Sequence, residues 1–287
     1  MKLSLTAESA TNRRFLLLAP RGASLRGAFR HVEGDPDWRR ELLSDMQRLR
    51  GRVYLQDGAI SARELTSDGR HAQPIDEASW HLLVLNASGR VAGCTRYLQH
   101  HPSTSFTGLR VRTSALARSQ QWSACVRAAV ESELEVARQN SFSYVEVGGW
   151  ALDEQLRGST DALRSVLFTY AWSQLIGGCL GLSMATQRNG SASILRRIGG
   201  RPLRWDGVEL PPYYDPQYKC EMEILRFDSR IPSIKYQHAI DEIRSQIPTV
   251  PVICDDRASY GWHSFVNRLH FPTVGEIPWV EGVAPAA

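Results

Sequence analysis

The groups best suited to chemistry fall in one stretch, Tyr144 to Leu163, which reads YVEVGGWALDEQLRGSTDAL. Glu146 puts a carboxylate inside a β-prone run, Tyr144 to Leu152, that loses its side chains at Gly148 and Gly149. A polar loop with Gln155 and Arg157 leads to Gly158-Ser159-Thr160-Asp161, which opens an apolar-periodic helix. Strand, loop and helix start in this order present backbone N–H groups and a positive helix end to an anion such as a phosphate. No glycine pattern of the Walker or dinucleotide kind is present to claim that role first. Plainer readings stand beside these. Glu146 can pair with a neighbouring arginine, and Ser159 or Thr160 can cap the helix while Arg157 stays in solvent.

Other candidate groups are scattered. Arg50 and Arg96, on a helix and near a strand end, suit either a carboxylate ligand or surface pairing. His100-His101 lacks a carboxylate or third ligand at metal spacing, so a solvated loop and no metal are expected. Cys179 follows Gly177-Gly178 without a partnered histidine in sequence reach and reads as a buried thiol. Trp80, Trp122, Trp150, Trp172, Tyr213 and Tyr214 read mostly as core, with Trp150 and the tyrosine pair also suited to an apolar pocket.

The chain that must position these groups has 287 residues, 43% hydrophobic and 22% charged, enough for one generous domain or a domain with an appendage. A net charge of +4, from 34 basic and 30 acidic residues, favours anionic ligands without marking a nucleic-acid binder. The five cysteines, Cys94, Cys125, Cys179, Cys220 and Cys254, lie far apart with no CxxC pair, as in a reduced, cytoplasmic protein. Arg13-Arg14 precedes an apolar run that stops at Pro20, too short for an export signal and better read as a first strand. No run reaches the roughly 18 apolar residues of a membrane span.

Periodicity supplies the frame. Arg14 to Ala19 reads as a strand, and Asp35 or Asp37 caps a helix anchored by Trp38, Leu42, Leu43, Met46 and Leu49. That helix runs into Arg50-Gly51-Arg52-Val53-Tyr54. The loop from Asp57 to Glu77 is longer than a connection needs and suits a mobile lid or a substrate wall. Trp80 to Ala87 and Arg90 to Leu98 form a hairpin, residues 99–118 are irregular, and helices follow over Gln120 to Arg138 and from the Gly158 cluster to Gly177. Strands at Leu180 to Thr186, Pro202 to Leu210 and Tyr218 to Phe227, with helices at Ser191 to Arg197 and near Tyr236 to Gln246, complete the pattern. The tail past Val250 is aromatic-rich without a readable period.

From residue 80 the order is β-β-α-β-α-β-α-β-β. This order, the stretch at 144–163, Arg188-Asn189-Gly190-Ser191-Ala192 and Ile198-Gly199-Gly200 resemble the GNAT superfamily of N-acyltransferases over about residues 45–227. That family's Q/R-x-x-G-x-G/A loop is matched by Gln155-Leu156-Arg157-Gly158-Ser159-Thr160, with Thr160 at the last small position. A narrower similarity ties Arg50 with Tyr54, Asp76, Arg96 and Glu146 to the branch of acyl-homoserine-lactone synthases and N-acyl amino acid synthases. Gly149 stands where lactone synthases carry an arginine, and no tryptophan follows Tyr54 at their spacing, which favours the N-acyl amino acid synthases.

The resemblance implies an α/β fold with a mixed, mostly antiparallel central sheet flanked by helices. Residues 1–40 would be an N-terminal extension, 41–228 the acyltransferase domain, and 229–287 a C-terminal helix and irregular tail. The implied reaction moves an acyl group from an acyl-coenzyme A (acyl-CoA) or acyl-carrier-protein (acyl-ACP) thioester, each ending in 4′-phosphopantetheine, to the amine of a small acceptor such as an amino acid. Glu146 would receive the amine proton, directly or through a water. Val147, Trp150, Ala151 and Leu152 would hold the thioester arm as an added strand does. Gln155, Arg157, Gly158, Ser159 and Thr160 would meet the phosphates, and Asn189 and Ser191 either the donor or only the cap of their short helix. Arg50, Tyr54, Asp76 and Arg96 would form the acceptor side. A conventional acetyl-CoA-dependent N-acetyltransferase and a non-catalytic module binding acyl thioesters or a protein are the alternatives on the same fold.

Overall fold

The computed structural model describes residues 14–255 except 24 and 26–28, so Arg13 of the arginine pair and the tail from 256 lie outside the described residues. The elements are β1 (Arg14–Leu18), β2 (Val32–Gly34), α1 (Pro36–Gln56), β3 (Trp80–Leu85), β4 (Val91–His100), α2 (Ala115–Arg118), α3 (Ser123–Gln139), β5 (Ser143–Leu152) and α4 (Thr160–Leu175). They continue with β6 (Cys179–Thr186), α5 (Ser191–Arg197), β7 (Arg201–Pro202), β8 (Arg204–Trp205), β9 (Val208–Glu209), β10 (Tyr213–Asp215), β11 (Cys220–Asp228), α6 (Gln237–Gln246) and β12 (Val252–Cys254). One sheet runs in the order β2-β12-β1-β3-β4-β5-β6-β11-β10, with β7 also on β11, while β8 and β9 pair apart from it. Within the main sheet β5–β6, β1–β12 and β12–β2 are parallel and the other pairs antiparallel. This is the mixed, mostly antiparallel sheet expected.

Local chemistry explains the helices that matter for the site. Asp35 Oδ1 accepts from Asp37 N and Trp38 N, both at 3.0 Å, and Pro36 occupies the first turn, so α1 starts sharply. Its Leu42, Leu43, Met46, Leu49 and Val53 then pack on Leu16, Leu18, Leu83, Leu85 and Cys94. On the same sheet face, α3 sets Val126, Ala129, Val130 and Leu134 against Tyr144, Leu180 and Leu182. Across the sheet, Val166, Leu167 and Tyr170 of α4 and Ile240 and Ile243 of α6 meet Leu17, Leu82, Val84 and Val145. Burying each such aliphatic side chain contributes about 1.5–3 kcal/mol, so layer packing rather than helix propensity fixes these elements. Strand alternation turns Arg96, Leu98 and His100 of β4 toward the α1 and α3 side, opposite Tyr97.

Two irregularities in this sheet make the site. First, β5 and β6 pair only from Ser143↔Cys179 to Glu146↔Leu182, and then part. β5 stays with β4 as far as Leu152↔Gly93, and β6 stays with β11 as far as Thr186↔Met222. Second, the register of β4 and β5 shifts between Arg96↔Gly148 and Cys94↔Ala151, which puts one extra residue on β5. Gly149 carries this bulge at φ +62°, where a Cβ would lie 3.1 Å from Arg96 Cβ and 3.5 Å from Arg50 Nη1. A side chain at 149 therefore meets both backbone strain and two arginines.

Several expectations are corrected. Of the two readings of the loop from Asp57 to Glu77, a wall fits and a free lid does not: it forms 3₁₀ turns at Ala62–Glu64 and Pro74–Asp76, and His71 N donates to Gln47 O of α1 at 3.0 Å. It can approach α1 closely because a Cβ on Gly51 would lie 2.6 Å from Gly69 O. The single strand expected at Pro202 to Leu210 is three short pieces, β8 and β9 being joined through Asp206-Gly207, a dipeptide that favours tight hairpins. Tyr213-Tyr214, read as core or pocket residues, lies in β10 on the sheet edge, with Tyr213 buried and Tyr214 exposed. Past Val250, β12 inserts between β1 and β2.

Candidate active site

The parted ends of β5 and β6 open a cleft of about 320 Å³. At one end it is lined by Arg157, Gly158, Ala162, Asn189 and Ser191, near the starts of α4 and α5. The middle is formed by Val147 to Leu152 on β5 and Ser183 to Thr186 on β6, and the far end by Tyr54, Gln73, Arg96, Arg110 and Glu146. Leu98, Leu182, Met184, Tyr218 and Met222 supply apolar wall. A mostly apolar groove with a few convergent polar groups is the usual form of a ligand site. Gln155, Ser159 and Thr160, expected in contact with ligand, are not among the lining residues, and neither are Arg50 and Asp76, which lie behind it.

Glu146 sits at the fork, 8% exposed. Its Oε2 accepts from His100 Nε2 at 2.9 Å and from Arg110 N at 3.0 Å, and its Oε1 accepts from Val111 N at 2.9 Å. A carboxylate only accepts, so His100 Nε2 carries the hydrogen. Burial alone would raise the Glu146 pKa, but the His100 hydrogen bond and charge, with the Arg110 amide and charge, bring it below the ordinary value. Glu146 is thus held ionised at neutral pH. The expected solvated position of His100 is overturned: β4 runs on past Leu98, and His100 is buried against Glu146, whereas His101 turns outward to Ser103.

Behind the fork lies a buried charge network centred on Asp76, which is fully buried. Arg50 grips it with Nη1 on Oδ1 at 2.9 Å and Nη2 on Oδ2 at 2.6 Å, while Arg96 Nη1 reaches Oδ1 at 3.1 Å. Gln47 Nε2 and Gln73 N donate to Oδ2 at 3.0 Å each. Burial would raise the Asp76 carboxyl, but Arg50, with His81 and Arg96, drives it far below the carboxylate range. Arg50 is therefore a structural partner of Asp76 and does not reach the cleft. Arg96 does reach it, and burial, followed by repulsion from Arg110 and Arg50, lowers its guanidinium to about 10. Tyr54 lines the cleft beside them, its hydroxyl pushed up by burial and then by Tyr218.

At the opposite end the helix start is narrower as a donor set than its sequence implied. Arg157 N and Ser159 N are already bonded to Glu154 O and Leu156 O, both at 3.1 Å. Ser159 Oγ caps α4 by accepting from Ala162 N at 3.3 Å. The amides of Gly158 and Thr160, with the helix dipole, remain for an anion. The Arg157 side chain, 46% exposed, pairs with Asp57 at 3.1 Å. Arg188 fastens the same mouth, donating to Asp57 O at 2.7 Å and to the carbonyls of Tyr218 and Lys219. Ser191 Oγ is turned inward to Thr186 O at 2.7 Å, and Asn189 is exposed at the rim. Among the described residues no cluster of three His, Cys, Asp or Glu could hold a metal ion, and no helix is long and apolar enough to cross a membrane.

Gln73, His100 and Arg110 were missed by sequence reasoning. Only His100 left a signal, since Arg96, Leu98 and His100 continue one strand period. Arg110 binds Glu146 through its backbone amide, which has no sequence signature.

The fork between β5 and β6, the bulge at Gly149 and the helix start at Thr160 give the chain a GNAT-like α/β fold. No protein-family model matches the chain, and no curated protein matches it in sequence. Among solved structures, the CoA-dependent acyl-homoserine lactone synthase BjaI with SAM and isopentyl-CoA aligns at TM-score 0.51 and 12% identity, covering 83% of this chain and 92% of BjaI. BjaI with MTA aligns at TM-score 0.50, with 12% identity and coverage of 83% and 92%. At this identity the likeness is one of fold.

Proposed function

We propose that this protein is an N-acyltransferase that moves an acyl group from a phosphopantetheine thioester, on CoA or a carrier protein, to the amine of a small acceptor. One observation carries the reading: the cleft follows the parting of β5 and β6, from the helix start at Gly158 to Glu146 and Arg96. An extended thioester arm laid along Val147 to Leu152 would bring its phosphates toward Gly158, Thr160 and Arg157 and its carbonyl toward the fork. The isopentyl-CoA bound by BjaI on the same fold supports an acyl-CoA donor.

In the proposed reaction a neutral amine attacks the thioester carbonyl carbon, the C–N bond forms, and the C–S bond breaks as the tetrahedral intermediate collapses. The ammonium proton passes to Glu146 directly or through a water, and the same proton, handed back from Glu146 through water, converts the departing thiolate to the thiol and regenerates the carboxylate. Strand amides at the bulge would stabilise the oxyanion. The test is thermal-shift titration with CoA, acyl-CoA and acylated carrier protein, followed by thiol release with a panel of amines. Arg157→Ala is expected to weaken donor binding, and an unchanged dissociation constant for both thioester donors would remove Arg157 from the donor site. Binding without thiol release across the panel would instead indicate a non-catalytic module.

A further inference from the structure

The end of the cleft beside α4 holds an anion of its own. Asp57 caps the C-terminal end of α1 and lines the mouth together with Arg157, Gly158 and Arg188. Its carboxylate accepts from Arg157 Nη2, at 3.1 Å on Oδ1 and 3.3 Å on Oδ2, while its backbone O accepts from Arg188 Nη1 at 2.7 Å. Arg157 lies between β5 and α4 and Arg188 between β6 and α5, so this one residue ties together both lips of the fork. Arg188 donates to the carbonyls of Asp57, Tyr218 and Lys219, and among the described residues no carboxylate pairs with it. An acid is disfavoured at the negative end of a helix, and the last turn of α1 holds no basic residue, so the Asp57 carboxylate is stabilised by Arg157 and not by its own helix.

The backbone at Asp57 is fixed. Its N donates to Val53 O at 2.9 Å, and Gly58 follows at φ +67°, where a Cβ would lie 3.3 Å from Arg188 Nη1. The side chain is free to turn: among the described residues its hydrogen bonds run to Arg157 alone, and the two side chains are 21% and 46% exposed. An exposed pair of this kind is weak and gives way to a better anion.

We propose that Asp57 is an internal counter-anion which a donor's phosphate must displace from Arg157, and that this exchange selects donors by the charge they carry. The word donor rests on the acyl-transfer reading; the exchange at Arg157 does not. A diphosphate entering the mouth offers Arg157 a charge-assisted partner in place of the carboxylate. It also meets the charge of Arg188 and the amides of Gly158 and Thr160, which Asp57 leaves unserved. The Asp57 side chain then turns to solvent while its backbone stays on Arg188, so the wall itself need not move. A phosphate-free arm cannot drive the exchange, because it leaves the pair intact and gains nothing from Arg157. Asp57 is thereby a specificity-determining residue that makes no contact with the donor it admits.

The exchange is tested on the full chain by isothermal titration at constant ionic strength with inorganic pyrophosphate, CoA and pantetheine, the last being the same arm without phosphate. Asp57→Asn is expected to bind pyrophosphate and CoA about 3- to 5-fold more tightly than the unaltered chain, the worth of one exposed ion pair, and pantetheine no better. The gain should disappear when Arg157→Ala is also present, which separates displacement at Arg157 from the general loss of a negative charge. Four results would each overturn the exchange: unchanged affinity for both anions, an equal gain on pantetheine, a gain that survives Arg157→Ala, or no measurable pyrophosphate binding by either protein. An Arg157-dependent gain on pyrophosphate with no binding of CoA would uphold the exchange and reject the CoA thioester as donor.

Discussion

Asp76 is the side chain on which the buried charges of this molecule depend. Replacing it by Asn leaves Arg50 and Arg96 buried against a neutral group, and breaking a buried pair from one side costs about 3–5 kcal/mol. Asp76→Asn should lower the urea midpoint accordingly, whereas a loss under 1 kcal/mol would mean that solvent already screens the network. The same residues set an acid limit on stability. Asp76 is depressed, so its contribution is complete above the ordinary carboxylate range near 4 and fades as pH falls below it. His71 and His81 act earlier, because burial, then Arg50 against His71 and against the pull of Asp76 on His81, brings both to about 4. Both stay neutral when folded but take a proton near 6.5 when unfolded, so stability is full above pH 6.5 and declines toward pH 4, by about 3 kcal/mol for each histidine. Urea melts between pH 7 and 4 should show this decline, and His81→Gln should flatten it. Glu146→Gln addresses the proposed chemistry. It is expected to cut the rate constant of transfer about 100-fold with little change in donor affinity, and unchanged turnover would take Glu146 out of the mechanism.

At the level of elements the bulge between β4 and β5 decides how Arg96 meets the cleft. Gly149→Ala would force a side chain into a left-handed backbone at about 1–2 kcal/mol and press on Arg96. A melting temperature lower by about 2–8 °C is expected, together with slower turnover, from a shifted guanidinium. A normal melting temperature with normal turnover would show that β5 absorbs the methyl group and that the bulge does not set Arg96. The glycine pair itself was visible in the sequence, but a bulge is a property of two strands, and its partner on β4 lies over 50 residues away.

For the whole molecule, the first and last described strands belong to the sheet that carries the site. β12 lies between β1 and β2, and α6 buries Ile240, Ile243 and the following Ile247 completely. Ending the chain after Asp228 would expose the α4 face and strip β1 of its parallel neighbour. Such a chain is expected to show no cooperative unfolding transition by circular dichroism, and a sharp transition would define residues before 229 as an independent domain.

Residue order alone determined the local parts of this protein: an aspartate cap at 35 or 37, the helical period of α1, the β-run holding Glu146, and the Gly158 to Asp161 helix start. Each depends on side chains a few positions apart, whose capping, backbone freedom or periodicity is written in residue type. The tertiary structure decided what surrounds Glu146 and who holds Asp76. The partners of Glu146 lie 35, 36 and 46 residues away, and two of them are backbone amides that any residue except proline can supply. Arg50 looked like a substrate ligand and became a structural ion pair, while Arg110, which matched no pattern, became the cation at the fork. Type and spacing name the groups that can carry charge, but only packing settles which of those charges are neutralised inside the fold and which remain facing the cleft.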